Sequence, residues 1–315
     1  MRKISSPRAT RRRTSRRRKS GNGFSFFLLT LAVLAFALAY IFAGDLFLPQ
    51  RESDMVFSAE GEIIVSFLDV GQGDAILVRT SENAVLIDAG EHRQRDVVLN
   101  YLAEAGISRL DYVVATHPHS DHIGGLVRIL RDFEIGHVVM PDVTHNTDTF
   151  ENFLAAIENN NVPVKFPVPG DRLRAGIIDM TVISPSPELA ERANANSRNI
   201  NDASIVLRLA HGQTSFLFTG DAEAAAENWI LSSGQNIRAN VLNVGHHGSR
   251  TSTTENFLAA VAPAVAVIQS GTNNQHGHPH PEVIERLAAH GVEILNTAEL
   301  GTIRIITDGQ SIFLH

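Results

Sequence analysis

Cysteine is absent from this chain of 315 residues. No disulfide can staple the fold, and no thiolate can hold a metal, so any transition-metal site must use nitrogen and oxygen ligands. Stability then rests on a hydrophobic core, with bound ions adding to it. The 43% hydrophobic content is enough for one large domain with a sizeable core. Internal repeats are also lacking. Basic residues are scarce outside one segment: ten of the 27 fall within residues 1–23, which leaves 17 against all 34 acidic residues and a charge of about −17 on the remainder. A body of that sign does not attract polyanions over long range and gives no support to broad nucleic-acid binding. A local metal charge could still capture a single phosphate.

The N-terminus is a different polymer. Residues 1–23 carry no acidic side chain, and residues 24–43 are uncharged and overwhelmingly apolar. At ~1.5 Å per residue that run is long enough to cross a bilayer as a helix. The expected organisation is a disordered basic tail over 1–23, a transmembrane helix over 24–44, a polar tether over 45–61 and one domain over 62–315. Basic residues ahead of the span place the N-terminus in the cytoplasm and the domain outside the cell membrane, with the tail against anionic lipid. Ala37-Leu38-Ala39 also has the small-x-small form of a signal-peptidase site, and cleavage there would release the domain. The apolar run continues four residues further, which favours a retained anchor.

The densest chemistry lies in Thr116-His117-Pro118-His119-Ser120-Asp121-His122-Ile123-Gly124-Gly125, directly after the apolar run Asp111-Tyr112-Val113-Val114-Ala115. That run reads as a buried strand. Residues two apart on extended backbone point the same way, so His117 and His119 can grip one ion. Asp121 and His122 follow where Gly124-Gly125 and the periodic Leu126, Ile129 and Leu130 predict a turn into a helix. They leave the backbone in another direction and can hold a second ion. Such ligands suit zinc, manganese or iron, and two ions about 3.5–4 Å apart can clamp a hydroxide for in-line hydrolysis.

Companion motifs follow in order. They are Val85-Leu86-Ile87-Asp88-Ala89-Gly90, then Phe216-Leu217-Phe218-Thr219-Gly220-Asp221, then Val241-Leu242-Asn243-Val244-Gly245-His246-His247-Gly248-Ser249. Together with the His-x-His-x-Asp-His segment they resemble the signature of the metallo-β-lactamase superfamily. Phe67-Leu68-Asp69-Val70-Gly71-Gln72-Gly73-Asp74-Ala75, the His-His-Gly-Ser block and Asn274-Gln275-His276-Gly277-His278-Pro279-His280-Pro281 narrow it. These are similar to the hydrolase domain at the end of ComEC-type DNA-uptake proteins and its free-standing relatives.

The resemblance implies a mixed α/β chain folded as an αββα sandwich holding two divalent ions, zinc or manganese, with a single ion as the alternative. Carried over position by position, His117 and His119 are ligands of the first ion, Asp121 and His122 of the second, and Asp221 the bridge. Neighbours on extended backbone face opposite ways, so the His246–His247 pair divides: His246 is expected as ligand and His247 toward the substrate. Asp88 is expected to orient ligands from behind. Asp69, Gln72 and Asp74 are expected to shape the loop below the site. His278, near Asn274, is placed to donate to a phosphoryl oxygen or leaving group, with Asp121 a further catalytic candidate. The extra first-ion histidine of the wider superfamily is not evident. His137 and His145 come early and His211 falls in a hairpin turn. Asn201-Asp202-Ala203-Ser204 stands in its place, similar to an Asn-x-x-Ser element of the ComEC-like group.

Periodicity predicts strands over 63–68, 75–79, 85–87, 136–140, 177–183, 204–209, 214–218, 264–269, 292–295 and 302–306. Helices are expected over 96–105, 150–157, 222–231, with Trp229 on the buried side, and 281–290. The function that follows is a membrane-anchored, extracytoplasmic metallo-hydrolase of phosphoesters. ComEC-type relatives suggest a phosphodiester such as DNA, and other members of the branch act on phosphocholine esters. Two alternatives remain open: a β-lactam or amide hydrolase, and a non-catalytic membrane-tethered module with a vestigial site.

Overall fold

A computed structural model describes residues 61–315. The tail, the apolar run and most of the tether lie outside the described residues. Among the described residues, no helix is long and apolar enough to cross a membrane.

Fifteen short strands among these residues form two sheets. The first holds β1 (Ile63–Phe67), β2 (Ile76–Arg79), β3 (Ala84–Ile87), β4 (Arg109–Val114), β5 (Glu134–Val139), β6 (Val164–Lys165), β14 (Ile303–Thr307) and β15 (Ile312–Leu314), ordered β15-β14-β1-β2-β3-β4-β5-β6. The second holds β7 (Arg172–Ala175), β8 (Ile178–Ser184), β9 (Val206–His211), β10 (Thr214–Phe218), β11 (Val241–Asn243), β12 (Val265–Ile268) and β13 (Glu293–Asn296), ordered β13-β12-β11-β10-β9-β8-β7. Both are mixed. Strands β3 to β6 run parallel, as do β10 to β13, and the remaining pairs are antiparallel.

Side-chain alternation explains why the strands read as continuous apolar runs. Phe216 and Phe218 of β10 enter the layer between the sheets, where they meet Phe67, Val78 and Ile87 of the first sheet. Leu217, pointing the other way, packs outward with Leu242 and Ala266. Both faces are buried, so no polar alternation survives. The first sheet's outer face is covered by α1 (Arg95–Glu104), α3 (Leu126–Asp132) and α4 (Asp148–Asn159) through Val98, Leu102, Ile129, Leu130 and Phe153. The second sheet's outer face is covered by α6 (Ala224–Ser233), α7 (Glu255–Val261) and α8 (Pro281–Ala289) through Ala226, Ile230, Phe257, Val283 and Leu287. The layering is helix, sheet, sheet, helix, as the resemblance implied.

Three differences from the periodicity have physical causes. Helix α6 starts at Ala224 rather than 222, because residues 219–223 turn to aim Asp221 inward. Its buried face is Ala226, Glu227 and Ile230, and Trp229 is only partly buried at the margin of that cluster. Helix α5 (Pro187–Ala195) was not anticipated, although Ser186 caps it by accepting the Leu189 N–H and Pro187 sits in its first turn.

Candidate metal centre

The strand pairs that run parallel decide where the chemistry collects. β3 and β4 of one sheet and β10 and β11 of the other end on the same side, and each is followed at once by a polar loop. Ligands gather beyond the carboxyl ends of parallel strands because the chain must leave the sheet there. Asp88 follows β3, Thr116 and His117 follow β4, Asp221 follows β10, and His246 and His247 follow β11. Between His119 and Gly124 the short helix α2 (Ser120–Ile123) carries Asp121 and His122. The turn at Gly73 packs directly on this helix. A Cβ there would lie 2.2 Å from the Asp121 carbonyl oxygen, and the backbone φ is +128°, so only glycine allows the approach.

Potential ligand atoms fall into neighbouring sets. His117, His119 and Asp221 form one and Asp121, His122 and His247 a second; in each set all ligand atoms lie within 4.8 Å of one another. The Asp221 carboxylate faces both: Oδ2 is 3.6 Å from His117 Nε2, while Oδ1 is 3.2 Å from His122 Nε2 and 3.4 Å from His247 Nε2. His117 Nε2 and His119 Nδ1 approach to 3.0 Å. Asp221 does not cap α6, whose N-cap is Glu223.

Behind the ligands stands a second layer that sets their orientation. Asp88 accepts from the Thr116 backbone N–H at 2.8 Å, from the Thr116 hydroxyl at 2.6 Å and from His122 Nδ1 at 2.8 Å. With Nδ1–H donating to Asp88, the Nε2 of His122 is the nitrogen turned to the site, where it would bind an ion once deprotonated. His247 is held alike, donating from Nδ1 to the Gln269 carbonyl at 3.0 Å with an Asp74 oxygen 3.2 Å from that nitrogen. Ser204 accepts the Asp221 N–H at 3.2 Å.

The fit to metal ions can be tested on these atoms. His122 Nε2, His247 Nε2 and Asp221 Oδ1 are buried without a hydrogen-bond partner. Each such group costs about 1–3 kcal/mol unless something binds it. Their convergence on one spot fits a site that takes up cations. An all-nitrogen-and-oxygen donor set suits borderline and hard divalent ions such as zinc or manganese.

Electrostatics follow the same division. Burial lowers His117 well below the ordinary imidazole value, and the charge on His122 adds to this. His119 is lowered by burial despite Asp221 and Asp121. For His122, burial is outweighed by Asp221, Asp88 and Asp121, and the ring is held well above its usual value. His247 is raised against burial by Asp221, Asp121 and Asp74. Burial fails to lift Asp121 and Asp221, because His122 and His247 hold both below the usual carboxylate range.

The other sequence candidates separate clearly. Of the adjacent pair, His247 falls within a candidate ligand set, and His246, expected as the ligand, also turns its ring to Asp221. The assumption that failed is the extended backbone: His246 and His247 have φ of 50° and 55°, left-handed values that swing both side chains toward the site. His246 Nδ1 lies 3.0 Å from Glu223, and its Nε2 lies 3.6 Å from Asp221 Oδ2. Asn201 supports that pairing, donating to Glu223 at 3.2 Å with the same amide nitrogen 3.4 Å from His246 Nδ1. Asp69 is not brought to the centre. It is exposed and accepts the Gly71 N–H at 3.1 Å, which shapes the turn. Asn274 spends its amide on backbone, accepting the His276 and His278 N–H groups and donating to the Gly271 and His278 carbonyls. His278 lines the cavity, its ring pushed down to about 4 by burial and by the charges of His246 and His247.

The sequence reading passed over Glu223 and set His145 aside as too early in the chain. Glu223 sits two positions past Asp221 and pairs with His246, a spacing that offered a weak signal. The ring of His145 stands 5.5 Å from that of His119, brought there by the loop after β5, and nothing local marked it. His137 instead stacks on Tyr112, and His211 lies 3.0 Å from the Gly61 carbonyl, both serving the scaffold. The site opens into a cavity of about 550 Å³ walled by Gln72, Glu91, Arg93, His246, His276 and His278 above Asp121 and Asp221.

A two-sheet sandwich carrying this histidine–aspartate cluster at its strand ends defines a class of metal-dependent hydrolases. Residues 68–189 match the Metallo-beta-lactamase superfamily. The chain contains a metallo-β-lactamase superfamily domain related to those of ComEC-type competence proteins. It is 33% identical over 266 residues to ComE operon protein 3 of Bacillus subtilis, covering 78% of this chain and 33% of that protein. Competence protein ComA of Neisseria gonorrhoeae is 32% identical over 248 residues, covering 78% and 32%. The chain thus spans about a third of the curated relatives it matches. Among solved structures, the metallo-beta-lactamase fold protein YhfI from Bacillus subtilis superposes with a TM-score of 0.50 at 12% identity, over 80% of this chain and all of that one. That likeness speaks for the fold.

Proposed function

We propose that this domain hydrolyses phosphoesters with two divalent ions, zinc or manganese. His117, His119 and Asp221 hold one, Asp121, His122 and His247 the other, and Asp221 joins them. The observation that carries the proposal is the Asp221 carboxylate, whose two oxygens face different histidine sets across a site with unpartnered buried lone pairs. When bound, the ions supply a water of lowered pKa and neutralise negative charge developing on phosphorus.

The chain's own residues do the rest. Asp88, Asp74 and Gln269 fix the ring orientations, so the ligands need not reorganise. His246, backed by Glu223, takes the substrate-facing role first expected of His247. His278 offers a neutral ring to a phosphoryl oxygen or the leaving group. ComA of Neisseria gonorrhoeae carries the word competence in its name, so a nucleic-acid phosphodiester is the first substrate class to test, ahead of phosphocholine esters. The acidic body suits one ester group in a bounded cavity better than a long polyanion along a groove.

We also propose that residues 24–44 anchor the protein in the cell membrane, with the basic tail against anionic lipid in the cytoplasm and the hydrolase outside. The catalytic proposal is tested with Asp121→Ala and His119→Ala. Each is expected to abolish turnover of bis(p-nitrophenyl) phosphate while the circular dichroism spectrum stays that of the parent. Near-parental turnover in either metal-replete variant would remove the centre. Nitrocefin as the sole substrate turned over would move the assignment to amide hydrolysis.

A further inference from the structure

Two loops from distant parts of the chain meet on the cavity wall. The turn at residues 69–74 follows β1, and residues 271–280 follow β12. At their contact a Cβ on Gly271 would lie 2.8 Å from the Gln72 backbone nitrogen, so a side chain there would push the loops apart. The close approach lets the Gln72 amide span both. Its Oε1 accepts the Gly271 N–H at 3.4 Å, and its Nε2 lies 3.4 Å from His278 Nδ1.

That arrangement has a direction. The Gly271 N–H can only donate, so it fixes which end of the Gln72 amide is oxygen. The opposite end is then the NH2 group, and it can only donate to His278. Nδ1 of His278 must therefore be the bare nitrogen and Nε2 the protonated one. Nε2 makes no hydrogen bond within the described residues, and the ring lines the cavity beside His246. Asn274 holds the His278 backbone from both sides, at 2.9 Å to its N–H and 2.6 Å to its carbonyl, so the ring has a fixed base from which to point.

We infer that Gln72 is a positioning residue that selects the Nε2–H tautomer of His278 and so makes that ring a hydrogen-bond donor to an oxygen of the bound ester. The inference rests on the phosphoester reading for the identity of the acceptor, and on the amide geometry alone for the tautomer. It gives the Gln in the Asp69-Val70-Gly71-Gln72-Gly73-Asp74 turn a chemical task in place of the loop-shaping one. A ring in the opposite tautomer would present a lone pair to a negatively charged ester and repel it.

The test has two arms, both on the full chain. Long-range 1H–15N spectra of 15N-histidine-labelled protein, assigned by loss of the His278 signals in His278→Ala, read the tautomer without any activity. The parent should show an unprotonated Nδ1 and a protonated Nε2. Gln72→Glu replaces the donor by an acceptor and should invert the pattern. Gly271→Ala keeps Gln72 but separates the loops, and should leave the two tautomers mixed. A protonated Nδ1 in the parent, or an unchanged pattern in Gln72→Glu, overturns the inference.

In the second arm, Gln72→Glu should lower kcat for phosphoester hydrolysis by about tenfold or more, within the range general acid and oxyanion donors provide. Metal content should stay that of the parent. Donation to the leaving oxygen predicts a larger loss for an alkyl ester than for a p-nitrophenyl ester, and donation to a non-bridging oxygen predicts equal losses. An inverted tautomer with unchanged kcat overturns the catalytic half. If the parent cleaves no phosphoester, the functional reading fails, and the spectra alone still uphold or overturn the tautomer assignment.

Discussion

His122 shows how much one side chain depends on its neighbours. Burial alone would favour its neutral form, yet Asp221, Asp88 and Asp121 surround it and raise its pKa well above the ordinary imidazole value. His247 is raised in the same way. Both nitrogens that face the centre must be bare to bind an ion, so binding releases protons. A histidine raised above 6.5 on folding stabilises the metal-free fold below that pH, and this contribution is lost as pH rises through the folded value. Metal-free protein therefore weakens, and metal affinity strengthens, as pH climbs through that window. Isothermal titration at pH 7 in two buffers of different ionisation enthalpy should show net proton release on metal binding; identical heats in both would contradict it. Asp88→Asn tests the same neighbourhood from behind. It keeps the shape but weakens the hold on His122, and should lower metal affinity about 10–100-fold by chelator competition.

At the scale of elements, the loop after His247 is locked by a device the sequence did not advertise. The buried Glu227 of α6 accepts the backbone N–H groups of Thr253 and Thr254, and Arg286 of α8 donates to the Ser252 and Thr253 carbonyls. Glu227→Ala would strand one buried and one half-buried donor, and should cost about 2–4 kcal/mol in a denaturant melt; a cost below 1 kcal/mol would show the lock to be idle. A glutamate on a helix face reads as solvent-exposed, and only the packing of α6 on α7 buries this one. The legible parts were those where local pattern and chemistry agree. Strands buried on both faces announce themselves by length and flanking glycines, and the His-x-His-x-Asp-His run specified its own two directions. That His246 and His247 both face Asp221 was not legible, because a left-handed backbone at two successive non-glycine residues leaves no mark in composition. Helix α5 was legible through Ser186-Pro187 and was missed.

For the molecule as a whole, the sandwich brings the ends of strands from two sheets to one rim, so residues as far apart as Gln72 and His278 share a single cavity. Neither sheet alone carries both halves of the centre: Asp88, His117 and His122 come from the first, Asp221 and His247 from the second. Metal binding should therefore staple the sheets together and raise the unfolding midpoint of both at once. Topology belongs to this scale too. Protease added outside intact spheroplasts should digest the domain, and full protection until the membrane is permeabilised would reverse the proposed orientation. The central claim is a two-ion hydrolytic centre bridged by Asp221. Its most direct test is the metal content of the purified full chain by elemental analysis, followed by zinc or manganese add-back while a phosphodiester is assayed. Two equivalents per chain with metal-dependent cleavage is the predicted result. One equivalent or none, with no cleavage after any add-back, would contradict it.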